Sequence, residues 1–193
     1  MHSSDHQIQL AQWTAQRIKE IIVAHHRDAQ KILDVGCGSG LITHYVQDIL
    51  WESKVVGVDR DQPVIKNAQE AFPEIRFFTS DGQLPFEDAS FDCVYASYVF
   101  HHLKTDDQKK LLHEMIRVLT PNGLLIILEF NPWHIPTRWH FWRNPEEKNA
   151  QMIAAHSLKK IIGAAGATPI CFYFNKLFFL SAIYAVIARK KDV

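Results

Sequence analysis

Short apolar runs alternate with segments of helical periodicity from Lys31 to Phe130, and this alternation constrains the fold more than any other feature of the sequence. The apolar runs are KILDV, KVVGVD, IRFFTSD, DCVYAS and LLIILEF, which are five candidate strands. The segments between them carry apolar side chains at helical spacing. Strand, helix and strand repeated in this order predict an α/β fold, a doubly wound and mostly parallel sheet with helices on both faces.

Local signals set the predicted helix boundaries. A helix over residues 41–50 follows the first strand, and Pro63 lies just inside a second helix that must end before Pro73. Thr105 with Gln108 predicts a capping box at the start of a third. The sequence PNG at 121–123 is expected to end that helix.

The two ends of the chain depart from this alternation. Apolar residues at helical spacing predict a helix from Ile8 to Val23, ahead of the sheet, whereas residues 131–143 are rich in aromatic residues and proline and show no clear period. Residues 144–147 then predict a cap, and the following helix is expected to end at Gly166 in the left-handed conformation. The segments ATPICFYF and SAIYAVIARK predict two closing strands, an antiparallel pair near an edge.

Composition bounds the size and the partners of the protein. A chain of 193 residues with 47% hydrophobic residues is long enough for one well-cored domain and short for two. Lysine plus arginine equals aspartate plus glutamate at 21 each, so no global field attracts a polyanion. We therefore expect no nucleic acid as the main partner, although a nucleotide-sized substrate or a tRNA base stays open.

Cysteine usage and hydropathy indicate a reduced, cytoplasmic chain. Cys37, Cys93 and Cys171 lie far apart and show no paired metal spacing, and the amino-terminal residues lack the pattern of a signal peptide. The longest apolar run, residues 177–188, is shorter than the roughly 20 residues that cross a bilayer. We expect it to be a buried strand, with no stable membrane insertion.

The loop after the first strand, GCGSG at 36–40, predicts a ligand site. Ligands of open parallel sheets bind beyond the carboxyl ends of the strands, and glycines there let backbone approach the ligand. A nicotinamide dinucleotide is one candidate, but the spacing is G-x-G-x-G rather than G-x-G-x-x-G. Asp34, two residues before Gly36, would repel a pyrophosphate and could pair with an ammonium group. The loop therefore favours a cationic ligand.

Two further acids end the next two strands. Asp59 ends the second strand and could accept hydrogen bonds from both hydroxyls of a ribose, although it could also cap the following helix. Asp81 ends the third and could accept from an exocyclic amine, with the backbone N–H of Gly82 or Gln83 reaching a ring nitrogen. Asp81 could equally be a turn residue.

The segments LDVGCGSG, VVGVDRD, TSDGQLPFEDASFDCVYASYVFHHL and LLHEMIRVLTPNGLLIILEF together resemble the class I S-adenosylmethionine-dependent methyltransferases, in particular the type 11 group with ubiquinone- and menaquinone-biosynthesis-like enzymes. The resemblance implies a Rossmann-like sheet of seven strands with the last one antiparallel. It divides one predicted domain, 1–193, into a helical cap at 1–29, a cofactor-binding core at 30–130, and an acceptor-side segment with the closing strands at 131–193.

The resemblance also implies roles for individual residues. Asp34, Gly36 and Gly38 would face the methionine part of S-adenosylmethionine, Asp59 the ribose, and Asp81 with its neighbours the adenine. Ser97 and Tyr98, after the fourth strand, would line the pocket of the methyl donor. Cys37 and Arg60, adjacent to these positions, complete the predicted cofactor-binding set; Cys37 is expected to be a small loop side chain and not a nucleophile.

The acceptor side is less defined. His101 is the candidate general base, and His102 the adjacent substrate contact, although both could simply line the pocket. Trp133 could belong to an apolar acceptor pocket or to ordinary packing, as could Trp139, Phe141 and Trp142. Arg138 could clamp an anionic acceptor or pair on the surface with Glu146 or Glu147. No pair of histidines has a convincing ligand spacing, so we expect no metal.

Three functions follow from these observations. The first is methyl transfer from S-adenosylmethionine to a small, partly hydrophobic molecule by single displacement. The second is a non-catalytic adenosyl-binding accessory subunit, and the third a nicotinamide-dependent oxidoreductase. The acceptor, the acceptor atom and the oligomeric state are not predicted.

Overall fold

The chain folds around one seven-stranded sheet. The structure, a computed structural model, describes residues 2–26, 28–144, 150–173 and 181–191. The strands are β1 Lys31–Val35, β2 Lys54–Asp59, β3 Arg76–Thr79, β4 Phe91–Ser97, β5 Leu119–Phe130, β6 Ala167–Tyr173 and β7 Ile183–Lys190. The helices are α1 His2–His25, α2 Leu41–Ile49, α3 Gln62–Ala71, α4 Thr105–Val118, α5 Ile135–Arg143 and α6 Ala155–Ala164, with a 3₁₀ turn at Phe100–His102.

The strand order is β3-β2-β1-β4-β5-β7-β6. Strands β1 to β5 are parallel, and β7 lies antiparallel between β5 and β6. Strand order reverses beside β1, whose two neighbours are β2 and β4, so a crevice forms at its carboxyl end. The predicted Rossmann-like fold, with its antiparallel last strand, is confirmed.

Two hydrophobic clusters cover the two faces of the sheet because successive strand residues point to opposite sides. Leu33 of β1 belongs to the cluster that packs against α4 and α6, while Ile32 belongs to the cluster that packs against α1 and α2. The closing strands take part in both clusters through Tyr184 and Ala185 of β7. The parallel core and the closing strands therefore share one packed interior.

Two local predictions were wrong, and one helix was not predicted. Residues 135–143 form helix α5, although the sequence shows no clear period there. Lys104, not Thr105, is the N-cap of α4, and Gln108 is buried, where its amide donates to the carbonyls of Phe100 and Leu103 at 2.9 and 3.1 Å. The sequence PNG lies within β5, whose pairing with β4 shifts register near its start.

One further boundary prediction is confirmed, and two others lie partly outside the described residues. Gly166 follows α6 with φ +89°, so the left-handed end is confirmed. Asn144 is the C-cap of α5, and the rest of the cap predicted at 144–147 lies outside the described residues. Of the apolar run at 177–188, residues 183–188 are buried in β7, as predicted, and residues 177–180 lie outside the description. No helix in the described ranges is long and apolar enough to span a membrane.

Candidate functional site

A cleft of about 560 Å³ opens at the carboxyl ends of β1, β2 and β4. Seven of the residues predicted to bind the cofactor lie on its wall, together with the predicted substrate contact His102: Gly36, Gly38, Asp59, Arg60, Asp81, Gly82 and Tyr98. The sequence thus placed the residues of four separate loops at one crevice. The other predicted residues lie behind the wall or away from it.

Steric constraints fix the loop at 36–40. Gly36 and Gly40 have φ +76° and +77°, and a Cβ would lie 2.4 Å from a Val99 methyl carbon at the first position and 2.7 Å from the Phe77 ring at the second. The N–H groups of Gly36 and Cys37 both donate to the carbonyl of Val58, at 2.7 and 3.1 Å. The loop is therefore tied to the end of β2.

Gly38 differs from the glycines on either side of it. Its φ is +50°, but a Cβ there would meet nothing within 4 Å. The same holds for Gly82, where φ is +131°. Both glycines border the cleft, so bare backbone faces open space where a ligand can approach closely.

Asp34 lies beneath the loop and not on the wall of the cleft. Its side chain is only 2% exposed, and the Thr43 hydroxyl of α2 donates to its carboxylate at 2.7 Å. Burial raises the pKa of Asp34 to about 7, against the opposing effect of hydrogen bonds from Thr43 and Tyr95. Its predicted pairing with a ligand ammonium stays a prediction.

Cys37 points away from the cleft into the packing of α3, where it joins a cluster with Ile65 and Phe77. Burial, reinforced by the charges of Asp34 and Asp59, raises the pKa of the thiol far above its usual range. A thiol that stays protonated is a poor nucleophile, which agrees with the small structural role expected for it.

Asp59 joins the end of β2 to the glycine loop. One carboxylate oxygen accepts from the N–H of Gly38 at 2.9 Å and the other from the N–H of Asp61 at 3.0 Å. The cap of α3 is Asp61, which accepts from Val64 N–H at 3.3 Å. Asp59 therefore does not cap this helix. Its carboxylate can still accept hydrogen bonds from a ligand in the cleft.

The loop that follows β3 is held from α4. Arg117 donates to the carbonyls of Leu84 and Phe86 and to the carboxylates of Glu114 and Asp88, while Glu114 accepts from Leu84 N–H at 2.9 Å. The hydrogen bond from Arg117 lowers the pKa of Glu114. This clamp positions Asp81 and Gly82 on the cleft, whereas Gln83 is exposed and off the wall.

Ser97 and Tyr98 lie at the carboxyl end of β4. The Ser97 hydroxyl is buried, and no described residue hydrogen-bonds to it. Tyr98 has φ +61°, and its hydroxyl lies 2.8 Å from the Thr14 hydroxyl of α1. Burial raises the pKa of Tyr98 well above its ordinary value. Helix α1 therefore reaches the wall of the cleft through one hydrogen bond.

The candidate base His101 is buried behind this wall. It is 1% exposed, and its Nδ1 lies 2.8 Å from Oε2 of Glu129, whose Oε1 accepts from Phe100 N–H at 2.7 Å. The adjacent His102 is exposed and lines the cleft. The structure thus separates the two histidines, and a catalytic role for His101 stays a prediction.

An aromatic stack connects this wall to α5. The ring of Tyr98 stacks on Phe130 at 4.6 Å, and Phe130 meets Phe141 edge to face at 5.1 Å. Phe141 is the buried residue of α5, whereas Trp133 and Arg138 are exposed and do not line the cleft. Their assigned substrate contacts stay predictions, and Glu146 and Glu147, the proposed partners of Arg138, lie outside the described residues.

Sequence reasoning missed several wall residues: Val35, Val58, Ser80, Leu84, Val99, Leu103, Asp107, Lys110 and Leu111. Those on α4 come close only through the fold, so no local motif indicates them. Leu84 and Val99 belong to runs already singled out, and their apolar character beside Asp81 and Tyr98 was the available signal. Among the described residues, no three His, Cys, Asp or Glu side chains converge as a metal site would require.

Part of the chain matches a known protein family. The sequence profile of a family described as a methyltransferase domain matches residues 33–127. The matched stretch runs from β1 into β5 and contains the glycine loop, Asp59 and Asp81. Residues 33–127 of the chain therefore belong to this methyltransferase family. The membership predicted from the four sequence segments is confirmed.

Individual methyltransferases match part of the chain as well. The chain is 32% identical over 121 residues to a demethylmenaquinone methyltransferase of Thermus thermophilus, across 60% of this chain and 54% of that relative. It is 28% identical over 138 residues to a trans-aconitate 2-methyltransferase of Azoarcus sp., across 72% and 54%. The chain spans about half the length of the curated relatives it matches.

The fold extends beyond the matched region. A methyltransferase structure from Archaeoglobus fulgidus superposes with a TM-score of 0.77 at 18% identity, covering 93% of this chain and 94% of that one. At this identity the likeness concerns the fold. It includes the closing strands, which the family match at 33–127 does not reach.

Proposed function

We propose that this chain binds S-adenosylmethionine in the cleft and transfers the methyl group to a small, partly hydrophobic molecule by single displacement. The observation that carries the proposal is the convergence of Gly38, Asp59 and Asp81 on one cleft in a chain of the methyltransferase family. Each of the three follows a different strand, so together they can contact three parts of one extended ligand.

The cleft fits a nucleoside-sized ligand. Its volume of about 560 Å³ lies within the roughly 300–1,000 Å³ of small-molecule sites. A carboxylate has about four acceptor positions, and backbone N–H groups use two of those on Asp59. The remaining two can accept both hydroxyls of a ribose while the backbone bonds hold the carboxylate in place.

The other residues divide the ligand between them. Asp81 and the backbone of Gly82 would contact the adenine, with Leu84, Val99 and Leu111 supplying apolar contacts. The open backbone at Gly38 would face the methionine part. Asp34 would pair with the ammonium of that part, which requires its carboxylate to give up a proton at neutral pH or below.

S-adenosylmethionine supplies a methyl group that the positive sulfur already activates, so the protein mainly has to align the acceptor and exclude water. Tyr98 and His102, both on the cleft wall, would face the acceptor. Between the two histidines, only His102 reaches the wall; the hydrogen bond to Glu129 fits His101 to hold that wall in position. His101 could act as a base through Nε2 while Nδ1 keeps its bond to Glu129, but its ring is 1% exposed and off the cleft wall, so this role would require the wall to move.

The aromatic ring of Tyr98 on the cleft wall, backed by Phe130 and Phe141, supports an acceptor with an apolar part. The two relatives above are named for demethylmenaquinone and for trans-aconitate, so family membership alone does not choose the acceptor. The Tyr98 ring favours a molecule of the first kind.

Titration calorimetry with S-adenosylmethionine and S-adenosylhomocysteine tests cofactor binding. Asp59→Asn should weaken affinity about 10- to 150-fold, the equivalent of about 1.5–3 kcal/mol for hydrogen bonds to a charged group. Asp92→Asn is the matched control, because Asp92 also accepts from two backbone N–H groups, at 2.9 Å each, but at the opposite edge of the sheet. Absence of heat with both ligands, or equal losses in both variants, would refute the proposal.

Turnover is a separate question from binding. Transfer of a labelled methyl group into a metabolite pool should yield a labelled small molecule with this chain and markedly less with Asp59→Asn at a donor concentration below the Kd of that variant. Binding of the donor without any labelled product would support the accessory-subunit alternative. Binding of a nicotinamide cofactor instead would support the oxidoreductase.

A further inference from the structure

We propose that the outer face of α5 docks on the surface of an anionic lipid bilayer. Four large apolar side chains are exposed on or just before this helix: Trp133 at 57%, Ile135 at 75%, Trp139 at 57% and Trp142 at 82%. Tryptophan is rarely left this open, and a cluster of such residues marks an interaction surface. The proposal concerns where the protein binds and does not depend on methyl transfer.

Three of these exposed residues form one stripe along α5. At about 100° per residue, Ile135, Trp139 and Trp142 lie within an arc of about 60°, while Phe141 points to the opposite side. Phe141 is the buried residue of the helix and packs on Phe130 and His101. The helix is therefore anchored by one face and leaves the other without a partner among the described residues.

Positive charge borders the stripe on both sides. By the same angular spacing, Arg138 lies about 60° to one side of Ile135 and Arg143 about 80° to the other. The Arg143 guanidinium stacks over the Trp139 ring at 4.7 Å. Residues 131–144 contain no aspartate or glutamate. Within residues 131–144 the aromatic stripe is therefore flanked by cations, as in helices that lie in the interface of anionic bilayers.

A second copy of the chain fits this face poorly. A symmetric dimer through the stripe would bring Arg138 and Arg143 of both copies together, and like charges across an interface oppose association. An anionic bilayer meets both properties of the face at once, because tryptophan favours the headgroup region and arginine the lipid phosphates. At nine residues, α5 can lie on a bilayer but cannot cross it.

The position of α5 gives the docking a consequence. The helix follows the carboxyl end of β5, the same edge of the sheet at which the cleft opens. Its buried Phe141 reaches the cleft wall through Phe130 and Tyr98. A bilayer bound by α5 would therefore face the cleft end of the molecule.

Flotation of the full chain with vesicles tests the proposal. Vesicles of phosphatidylcholine mixed with phosphatidylglycerol should carry the protein, and vesicles of phosphatidylcholine alone should carry much less. Binding should fall as salt is raised. The double variant Trp139→Ser/Trp142→Ser should lower the partition coefficient at least about tenfold through lost apolar burial.

Two further variants make the test specific. Arg138→Gln/Arg143→Gln should lower binding to the anionic vesicles by about 30-fold, from about fivefold per charge. Trp51→Ser is the matched control, because Trp51 is 75% exposed but precedes β2, at the opposite edge of the sheet, and it should bind as the unaltered chain does. All variants change exposed residues, so thermal unfolding serves as the check of the fold.

Several results would overturn the proposal. These are absence of flotation with anionic vesicles, equal flotation with neutral ones, or equal losses in Trp51→Ser and the α5 variants. Sedimentation velocity gives another: a dimer that Trp139→Ser/Trp142→Ser dissociates, without vesicle binding, would assign the face to a second copy. Flotation that is lost in both the tryptophan and the arginine variants of α5 would support the bilayer proposal.

Discussion

The glycine loop at 36–40 and helix α5 both lie at the carboxyl edge of the sheet, but they are determined in different ways. Backbone sterics restrict the loop, where Gly36 and Gly40 have left-handed φ values and neighbours within 3 Å of any Cβ. Most side chains of α5 are exposed, and one residue, Phe141, anchors it. Sterics therefore hold the glycine loop to one geometry, whereas α5 is held through one buried side chain and presents most of its surface to solvent.

Gly36→Ala should destabilise the glycine loop and have the largest effect on the free energy of unfolding. We expect a loss of about 2–5 kcal/mol in the free energy of unfolding, from about 1–2 for the left-handed backbone and about 1–3 for overpacking against Val99. Urea unfolding measures it. Gly163→Ala is the control, since Gly163 lies in α6 with nothing within 4 Å of a Cβ, and it should be neutral or slightly stabilising. Similar losses in both would contradict the distinction.

Asp34→Asn should show how much stability the ionised Asp34 carboxylate costs the folded chain beneath the loop. The folded pKa of Asp34 is raised from 3.8 to about 7, so the folded state binds the extra proton between these values. The stability of the unaltered chain relative to the variant should therefore fall by up to about 4 kcal/mol as pH rises from 4 to 7 and level off above. Unfolding by urea across this range measures the difference; a difference independent of pH would refute the assignment.

Phe141→Ala tests the single anchor of α5. Loss of a buried phenylalanine should cost about 3 kcal/mol, because Phe141 fills the contact with Phe130 and His101. Trp142→Ala, one residue away and exposed, should change stability by less than about 0.5 kcal/mol. Denaturant midpoints for the pair give the contrast. Equal effects would mean that the outer face of α5 is packed as firmly as the inner one.

Arg117→Met should have the smallest effect on stability and a specific one on the cleft. It removes the hydrogen bonds to the Leu84 and Phe86 carbonyls, and because the site is partly solvated we expect a loss of about 1–2 kcal/mol. Affinity for S-adenosylhomocysteine should fall as well, since the loop bearing Asp81 loses its clamp. Lys109→Met, which removes an exposed pair with Asp106, should do neither. Unchanged affinity in Arg117→Met would show that the loop holds itself.

Much of the core could be predicted because local chemistry determines it. Alternating apolar runs and helical segments gave the strands, and the glycines and strand-end acids gave five of the residues on the cleft. Each of these signals lies within a few residues of the position it concerns. The parallel order of strands then brings them together without further information.

What could not be predicted depends on contacts between distant segments. Helix α5 was not predicted because it has no periodic apolar stripe that packs on the core. Only Phe141 is buried, and contacts with distant segments, not the local sequence, determine that this side chain is the buried one. The capping box failed because Gln108 is drawn into the interior by the carbonyls of the 3₁₀ turn. The separation of His101 from His102 likewise depends on Glu129, 28 residues further along the chain from His101.

The central claim is that Asp59 and the open backbone of the glycine loop jointly hold a sulfur nucleoside. A crystal structure with S-adenosylhomocysteine tests it most directly. We expect the ribose hydroxyls within hydrogen-bonding distance of the Asp59 carboxylate, with the sulfur chain passing over Gly38. An empty cleft at saturating ligand, or a nucleoside bound elsewhere with Asp59 still bonded only to Gly38 and Asp61, would contradict the account.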